Sequence, residues 1–396
     1  MAKKESRTQT AGYYALAGVT IALAVMGAVM IPSASSALAY KEQGNSFYFA
    51  WRQFGYLAFG LAFMFILARF DYRKLRVLAL PTALLTIVLL IAVFFVGHTA
   101  NGSSRWLSIG PIRFQPSEFA KLVVLFFSAS YFEKLGRRIG DWRELLWPYG
   151  AIIAVIAALV YKQPDLGTTS IIVVTAFLTW FLAGGVWWQM MAAAAAGFSY
   201  VALKVMSEPY QLARLTAFID PWADPRGNGY QIIQSWYALG SGGWTGVGLG
   251  LSKQKFGYLP AAHTDFILAI VGEELGLVFT IAIVMLFALY VFIGTRIAAT
   301  TKDRFGRLLA GGVVGMIGLQ AVINIGAVIG YLPITGVPLP FISYGGTSLV
   351  VSLLASGLLL SVATYGKQAR QAGPIVASDN MRRGNRGSRL SRVGVG

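Results

Sequence analysis

Asp265 lies in the string Ala262-His263-Thr264-Asp265-Phe266-Ile267, and seven apolar or small residues separate it from Glu273 and Glu274. An Asp in a first helical turn can simply complement the helix dipole. Three carboxylates within ten residues at the mouth of an apolar run call for more than capping. A carboxylate in a water-poor pocket has a raised pKa and can act as a general base. Glu118 and Lys121, three apart and so on one helix face, form a second charged pair beside an apolar run. They fit a self-neutralising pair with Lys121 snorkelling to the interface, and equally a functional site, because charge at membrane depth is costly.

Arg105 precedes Trp106 in Asn101-Gly102-Ser103-Ser104-Arg105-Trp106. An interfacial Trp is ordinarily a belt anchor, whereas a guanidinium matches the geometry of an anionic headgroup. Segment 207–262 adds Arg214, Asp220-Pro221-Trp222, Asp224-Pro225-Arg226 and a Gly-rich run from Gly240 to Gly250. Gly246-x-Gly248-x-Gly250 lacks the preceding strand and βαβ unit of a nucleotide loop, so it is not read as one. Only His98 and His263 offer imidazole, and cysteine is absent. Disulfides and thiolate nucleophiles are excluded, and a zinc site is disfavoured.

These residues sit between long apolar runs. The chain has 396 residues, 56% hydrophobic and 12% charged, against about 25% charged in a soluble domain. Runs near the ~20 residues that cross a bilayer as a helix fall at 13–31, 54–69, 75–96, 117–133, 147–162, 168–184, 186–206, 266–293, 308–329 and 343–364. The expected fold is all-α, a polytopic membrane bundle of about ten transmembrane helices. Its expected parts are an N-tail over 1–12, a membrane domain over 13–366 and a basic disordered tail over 367–396. The large outer loop, 207–262, lies between spans seven and eight. The first run is 19 residues, longer than a signal-peptide core of about 7–15, and reads as a retained span despite Ala37-Leu38-Ala39.

Ten spans place both termini on one side. The Lys and Arg of the N-tail (three), 69–76 (four), 134–143 (four), 296–307 (four) and the C-tail (seven) then share that side. The positive-inside rule makes it cytoplasmic. The net charge of +17 is accounted for by orientation and not by nucleic acid. Gly311/Gly315 and Gly326/Gly330 read as helix-packing pairs. No internal repeat is evident, which weakens an inverted-repeat transporter. Outer-facing carboxylates and basic residues at membrane depth fit a lipid-processing enzyme, and they also fit a transporter or flippase.

Several strings together resemble the SEDS family (shape, elongation, division and sporulation). They are Ser104-Arg105-Trp106, Gln115-Pro116-Ser117-Glu118-Phe119-Ala120-Lys121 and Gln163-Pro164-Asp165-Leu166-Gly167-Thr168, then Gly229-Tyr230-Gln231 to Ser235, Leu259-Pro260 through Asp265-Phe266-Ile267, Gly272-Glu273-Glu274-Leu275-Gly276 and Pro338-Leu339-Pro340 through Ser343-Tyr344-Gly345-Gly346. The short path from Arg214 through Gly250 to Leu259 resembles the FtsW/SpoVE division and sporulation type, not the RodA elongation type with its longer insertion. Ala261 stands where the family's Leu-Pro string usually continues with an acid.

The resemblance implies a peptidoglycan glycosyltransferase that polymerises lipid II in the bacterial cytoplasmic membrane, at the division septum. It implies a class B penicillin-binding protein as transpeptidase partner, with other divisome membrane proteins. Carried over by motif, Asp265 is the catalytic aspartate. Arg105, Trp106, Glu118, Lys121, Arg214, Gln234, Ser343 and Tyr344 are substrate-binding candidates. Asp265 would take the proton of an acceptor hydroxyl while a polyprenyl diphosphate leaves. Alternatively Asp265 would ligate Mg²⁺ or Mn²⁺ on that diphosphate. Lys121 is expected to pair with Asp265 and keep it ionised. A lipid II flippase and a division scaffold are the other readings.

Overall fold

The computed structural model describes residues 2–100, 103–110, 112–207 and 209–366. The basic tail over 367–396 lies outside the described residues. Helices dominate, as the apolar runs require: a backbone in hydrocarbon must satisfy its hydrogen bonds internally. In chain order they are α1 (Ala2–Gln43), α2 (Tyr48–Arg69), the short α3 (Tyr72–Leu75), α4 (Ala79–Val96), α5 (Pro116–Leu135), the short α6 (Trp142–Glu144), α7 (Ala151–Lys162), α8 (Leu166–Leu182), α9 (Trp187–Ser207), α10 (Pro209–Ile219), α11 (Tyr230–Gly242), α12 (Ile267–Thr300), α13 (Arg304–Ile329) and α14 (Gly346–Tyr365).

Seven of the described helical stretches are long and apolar enough to cross a membrane. Helices also fill the other three expected runs. These are α5, which carries four charges, the 17-residue α8, and α9. Large apolar side chains such as Phe95, Phe198 and Met285 point outward from the bundle, at 83%, 77% and 62% exposure. Such a coat suits lipid and not water.

α14 runs through the middle and is buried along nearly its whole length, packed on α2, α1, α13 and α5. Gly357 makes the α2 crossing possible, since a Cβ there would come within 2.7 Å of the Met64 carbonyl oxygen. At one end of the bundle the basic connections meet. Arg76 pairs with Glu133 at 2.8 Å, the Tyr72 hydroxyl donates to Asp303 at 2.9 Å, and Arg73 donates to the Tyr365 carbonyl at 2.6 Å. The 69–76, 134–143 and 296–307 segments, grouped from charge alone, therefore share one end.

Two of the connections carry secondary structure of their own. In the 97–116 connection β1 (His98–Ala100), β2 (Ser103–Ile109) and β3 (Ile112–Phe114) form an antiparallel sheet in that order. The bundle itself is helical as expected, and this small sheet belongs to a connection between its helices. The 207–262 segment is not simply a loop. It contains α10 and α11, and α11 buries Ile232, Ile233, Ser235 and Ala238 against α12 and α13. Ser235 donates to the Val328 carbonyl at 2.7 Å. Gly and Pro at its ends, together with its outlying length, hid that helical periodicity.

Candidate active site

Opposite the basic end, four chain segments converge on Asp265. The first is its own strap, which enters α12. Ala261 adopts a left-handed φ of +53°, and its carbonyl accepts from Thr264 N at 3.1 Å and Phe266 N at 3.2 Å. The second is the 331–345 connection. Ser343 donates to the Thr264 carbonyl at 2.6 Å, and Tyr344 N donates to the His263 carbonyl at 2.9 Å. Gly336 lies so close that a Cβ there would sit 3.6 Å from the Asp265 carboxylate. Asn324 of α13 clamps both segments, donating to the Asp265 carbonyl at 2.7 Å and the Val337 carbonyl at 2.8 Å.

The third segment is the Gln163–Thr168 turn. Asp165 caps α8 by accepting from Thr168 N at 3.1 Å and also accepts from the Gln115 side chain at 3.2 Å. Gly167 packs against the 335–337 backbone, where a Cβ would meet the Thr335 carbonyl at 2.5 Å. The fourth is β2, whose Arg105 donates through Nε to the Gln163 carbonyl at 2.8 Å and through Nη2 to the Pro164 carbonyl. Arg105 thus ties the sheet to the Asp165 turn while its charge stays near Asp265.

Asp265 is half-buried. Burial pushes its carboxyl up to about 6, the neighbouring Asp165 pushes the same way, and Arg214 and Arg105 pull it back. It is a carboxylate poised to exchange a proton near neutral pH. His263, two residues earlier, is held neutral by burial, its pKa lowered to about 4. It stacks on Phe49 with ring centroids 5.1 Å apart.

Two cavities flank this strap. One, of about 280 Å³, includes Arg214, Arg226, Gln231 and Pro260 in its wall. The other, of about 500 Å³, includes Arg52, Trp106, Arg113, His263, Thr264 and Tyr344. Trp106 and Tyr344 therefore share one cavity wall beside the strap. Burial raises the Tyr344 hydroxyl to about 12, so it is a hydrogen-bond donor.

Other sequence-derived candidates fall elsewhere. Lys121 does not pair with Asp265: its ammonium lies 2.8 Å from Glu118 Oε2, both side chains are buried, and Arg214 and Arg105 are the cations that act on Asp265. No well-aligned hydrogen bond closes on that Glu118 oxygen, so the contact is an ion pair by proximity. Neither residue is among those lining the two cavities, and the same holds for Asp265 and Arg105. Gln231, one turn before Gln234, faces the smaller cavity instead. Ser343 is a brace, since its hydroxyl also accepts from Leu339 N at 2.9 Å.

Glu273 and Glu274 have structural partners. Glu274 accepts from Ser33 at 2.6 Å and pairs with Lys255 at 3.1 Å. Glu273 accepts from Lys253 N at 2.8 Å. Missed from sequence were Asp165, Arg52 and Arg113. Asp165 stood inside a quoted motif and could have been found from its acidic type. Arg52 and Arg113 carried no local signal.

The protein-family model described as "Cell cycle protein", covering FtsW, RodA and SpoVE, matches residues 14–368. A probable peptidoglycan glycosyltransferase FtsW of Geobacter metallireducens is 42% identical over 351 residues, 88% of this chain and 94% of that one. Stage V sporulation protein E of Bacillus subtilis is 39% identical over 351 residues, covering 88% and 96%. Among solved structures, a chain of a peptidoglycan synthase complex superposes with a TM-score of 0.75 at 31% identity, covering 90% of this chain and 98% of that one. Thermus thermophilus RodA superposes with a TM-score of 0.66 at 28% identity, covering 89% and 97%. A family model matched over residues 14–368 and relatives 42% and 39% identical over 88% of its length show that the chain belongs to the FtsW/RodA/SpoVE family.

Proposed function

We propose that this protein is a peptidoglycan glycosyltransferase that polymerises lipid II during cell division. The observation that carries the reading is Asp265, half-buried with its carboxyl raised to about 6 and set between two arginine-bearing cavities. A base with a pKa near the working pH is suited to general catalysis. In the reaction, Asp265 removes the proton of an acceptor sugar hydroxyl. The freed oxygen pair forms a bond to the anomeric carbon of the donor. The bond from that carbon to the polyprenyl diphosphate breaks, and its electron pair leaves on the phosphate oxygen. A single displacement inverts the α-linked donor to a β-linked strand. Arg214 and Arg105 stabilise the charge that grows on the leaving group.

Mg²⁺ is typically held by one or two carboxylates together with substrate phosphates. Asp265 fits as one such carboxylate, whereas the Asp165 oxygens are engaged by Thr168 and Gln115. Among the described residues no group of three ligands gathers, so phosphate and water would complete such a shell. A bound ion would neutralise diphosphate charge.

In this reading the basic end of the bundle is cytoplasmic by the positive-inside rule, the chain crosses ten times, and Asp265 faces outward at the septum. The transpeptidase partner is a class B penicillin-binding protein among other divisome membrane proteins. Support comes from the likeness to a peptidoglycan synthase complex. The test uses purified full-length protein in nanodiscs, with and without that partner, given labelled lipid II. Glycan ladders are expected from the native chain and absent with Asp265→Asn. Ladders that persist undiminished in Asp265→Asn overturn the assignment.

A further inference from the structure

The α11–α12 connection carries an apolar surface that the proposed chemistry does not use. Trp244, Leu249, Leu251, Phe256 and Tyr258 are 72%, 55%, 65%, 67% and 58% exposed. This patch is held rigidly. α12 is broken at Gly276, which has a φ of +79°, and the connection threads into the break. Val247 N and Gly248 N donate to the Glu273 and Glu274 carbonyls at 2.9 and 3.0 Å, while Leu277 N donates to the Gly243 carbonyl at 2.9 Å. Gly246 has to be glycine here, since its φ is +81° and a Cβ would overlap the Glu274 carbonyl. Farther along, the Glu274–Lys255 ion pair and the Ser33 hydroxyl fasten the connection to α1.

Between Glu274 and Arg296 the sequence has no charged residue. Leu277–Gly294 at 1.5 Å per residue extends about 27 Å, nearly the ~30 Å hydrocarbon thickness. Gly276 therefore marks the hydrocarbon boundary at the Asp265 end. Just beyond it, Leu277, Val278 and Ile281 are 42%, 55% and 49% exposed, so the lipid-facing side of α12 runs straight into the loop. The loop also has the composition of an interface. It exposes Trp, Tyr and Phe, and residues 243–264 contain lysines but neither Asp nor Glu.

We infer that this connection is a membrane-interface anchor: Trp244, Leu249, Leu251, Phe256 and Tyr258 sit among the lipids of the leaflet at the Asp265 end, continuous with the lipid face of α12. Leu259, buried directly after the anchor, leads into the strap that carries Asp265. The anchor thus fixes the height of the carboxylate relative to lipid headgroups, where a lipid-borne substrate presents its polar part.

The native chain has no cysteine, so a single spin label can be placed without background. Leu249→Cys and Phe256→Cys are labelled in the full chain in phosphatidylcholine/phosphatidylglycerol nanodiscs. Collision with oxygen, which enters lipid, is compared with collision with a water-soluble nickel chelate. Met285→Cys on exposed α12 is the lipid reference, and Arg137→Cys in an exposed basic connection is the aqueous one. Both loop labels are expected to favour oxygen as Met285→Cys does, several-fold above Arg137→Cys. Nickel accessibility equal to that of Arg137→Cys overturns the proposal and leaves the patch free for a protein partner. Exclusion of both reagents overturns it as well, since another polypeptide then covers the surface.

Discussion

Asp265→Asn should abolish turnover and, above neutral pH, make the protein more stable. Burial and Asp165 raise the folded-state carboxyl from 3.8 to about 6, a little over two units. At about 1.4 kcal/mol per unit this corresponds to about 3 kcal/mol held against the folded state when the group is ionised. The carboxylate keeps part of its surface in contact with water, so about 2–3 kcal/mol is the expected range. The sign follows from linkage. A carboxyl whose pKa is raised on folding stabilises fully below its unfolded value of 3.8 and loses that contribution as pH rises through about 6. Asn mimics the protonated acid in size and stays neutral. It also leaves intact the bond from Asn324 to the backbone carbonyl at position 265.

The stability difference between Asp265→Asn and the native chain should therefore be near zero at pH 4. It should grow through pH 6 and reach a plateau by about pH 8, at a few kcal/mol in favour of the variant. Unfolding midpoints of both proteins in one detergent, measured across that range, report it directly. A difference that does not change with pH, or a variant less stable at pH 8, would refute the account of the carboxylate as buried and destabilised.

Three further outcomes are expected. Initial polymerisation rates against pH should rise through about 6; Asp165→Asn should move that limb to lower pH by removing a like charge, and Arg214→Gln should move it higher. Lys121→Met should cost about 3–5 kcal/mol in unfolding free energy by stranding Glu118, and Glu118→Leu added to it should recover much of the loss. Ala261→Gly should stabilise by about 1 kcal/mol by relieving a left-handed φ, whereas Gly276→Ala should destabilise because its Cβ would collide with the Gly246 backbone; thermal midpoints separate the two.

The sequence by itself determined the class of the molecule, because bilayer thickness sets a length scale that any apolar run either meets or fails to meet. It also determined which connections share the basic end, since charge must stay out of hydrocarbon wherever the helices go. Asp265 stood out for the same reason, as an acid where acids are costly. The partners of each charge were decided only in three dimensions. Spacing along one helix favoured Glu118 for Lys121, but whether Asp265 also reached it depended on how α5 and the strap pack. The cations beside Asp265 come from β2 and α10, far apart in the chain. Glu273 and Glu274 look catalytic in one dimension and become a latch once Ser33 and Lys255 arrive from elsewhere. Arg52 and Arg113 join a cavity only because α2 and the sheet converge there. Helical periodicity and hydropathy are local properties of the chain, whereas a site assembled from segments more than a hundred residues apart exists only after the bundle has closed around it.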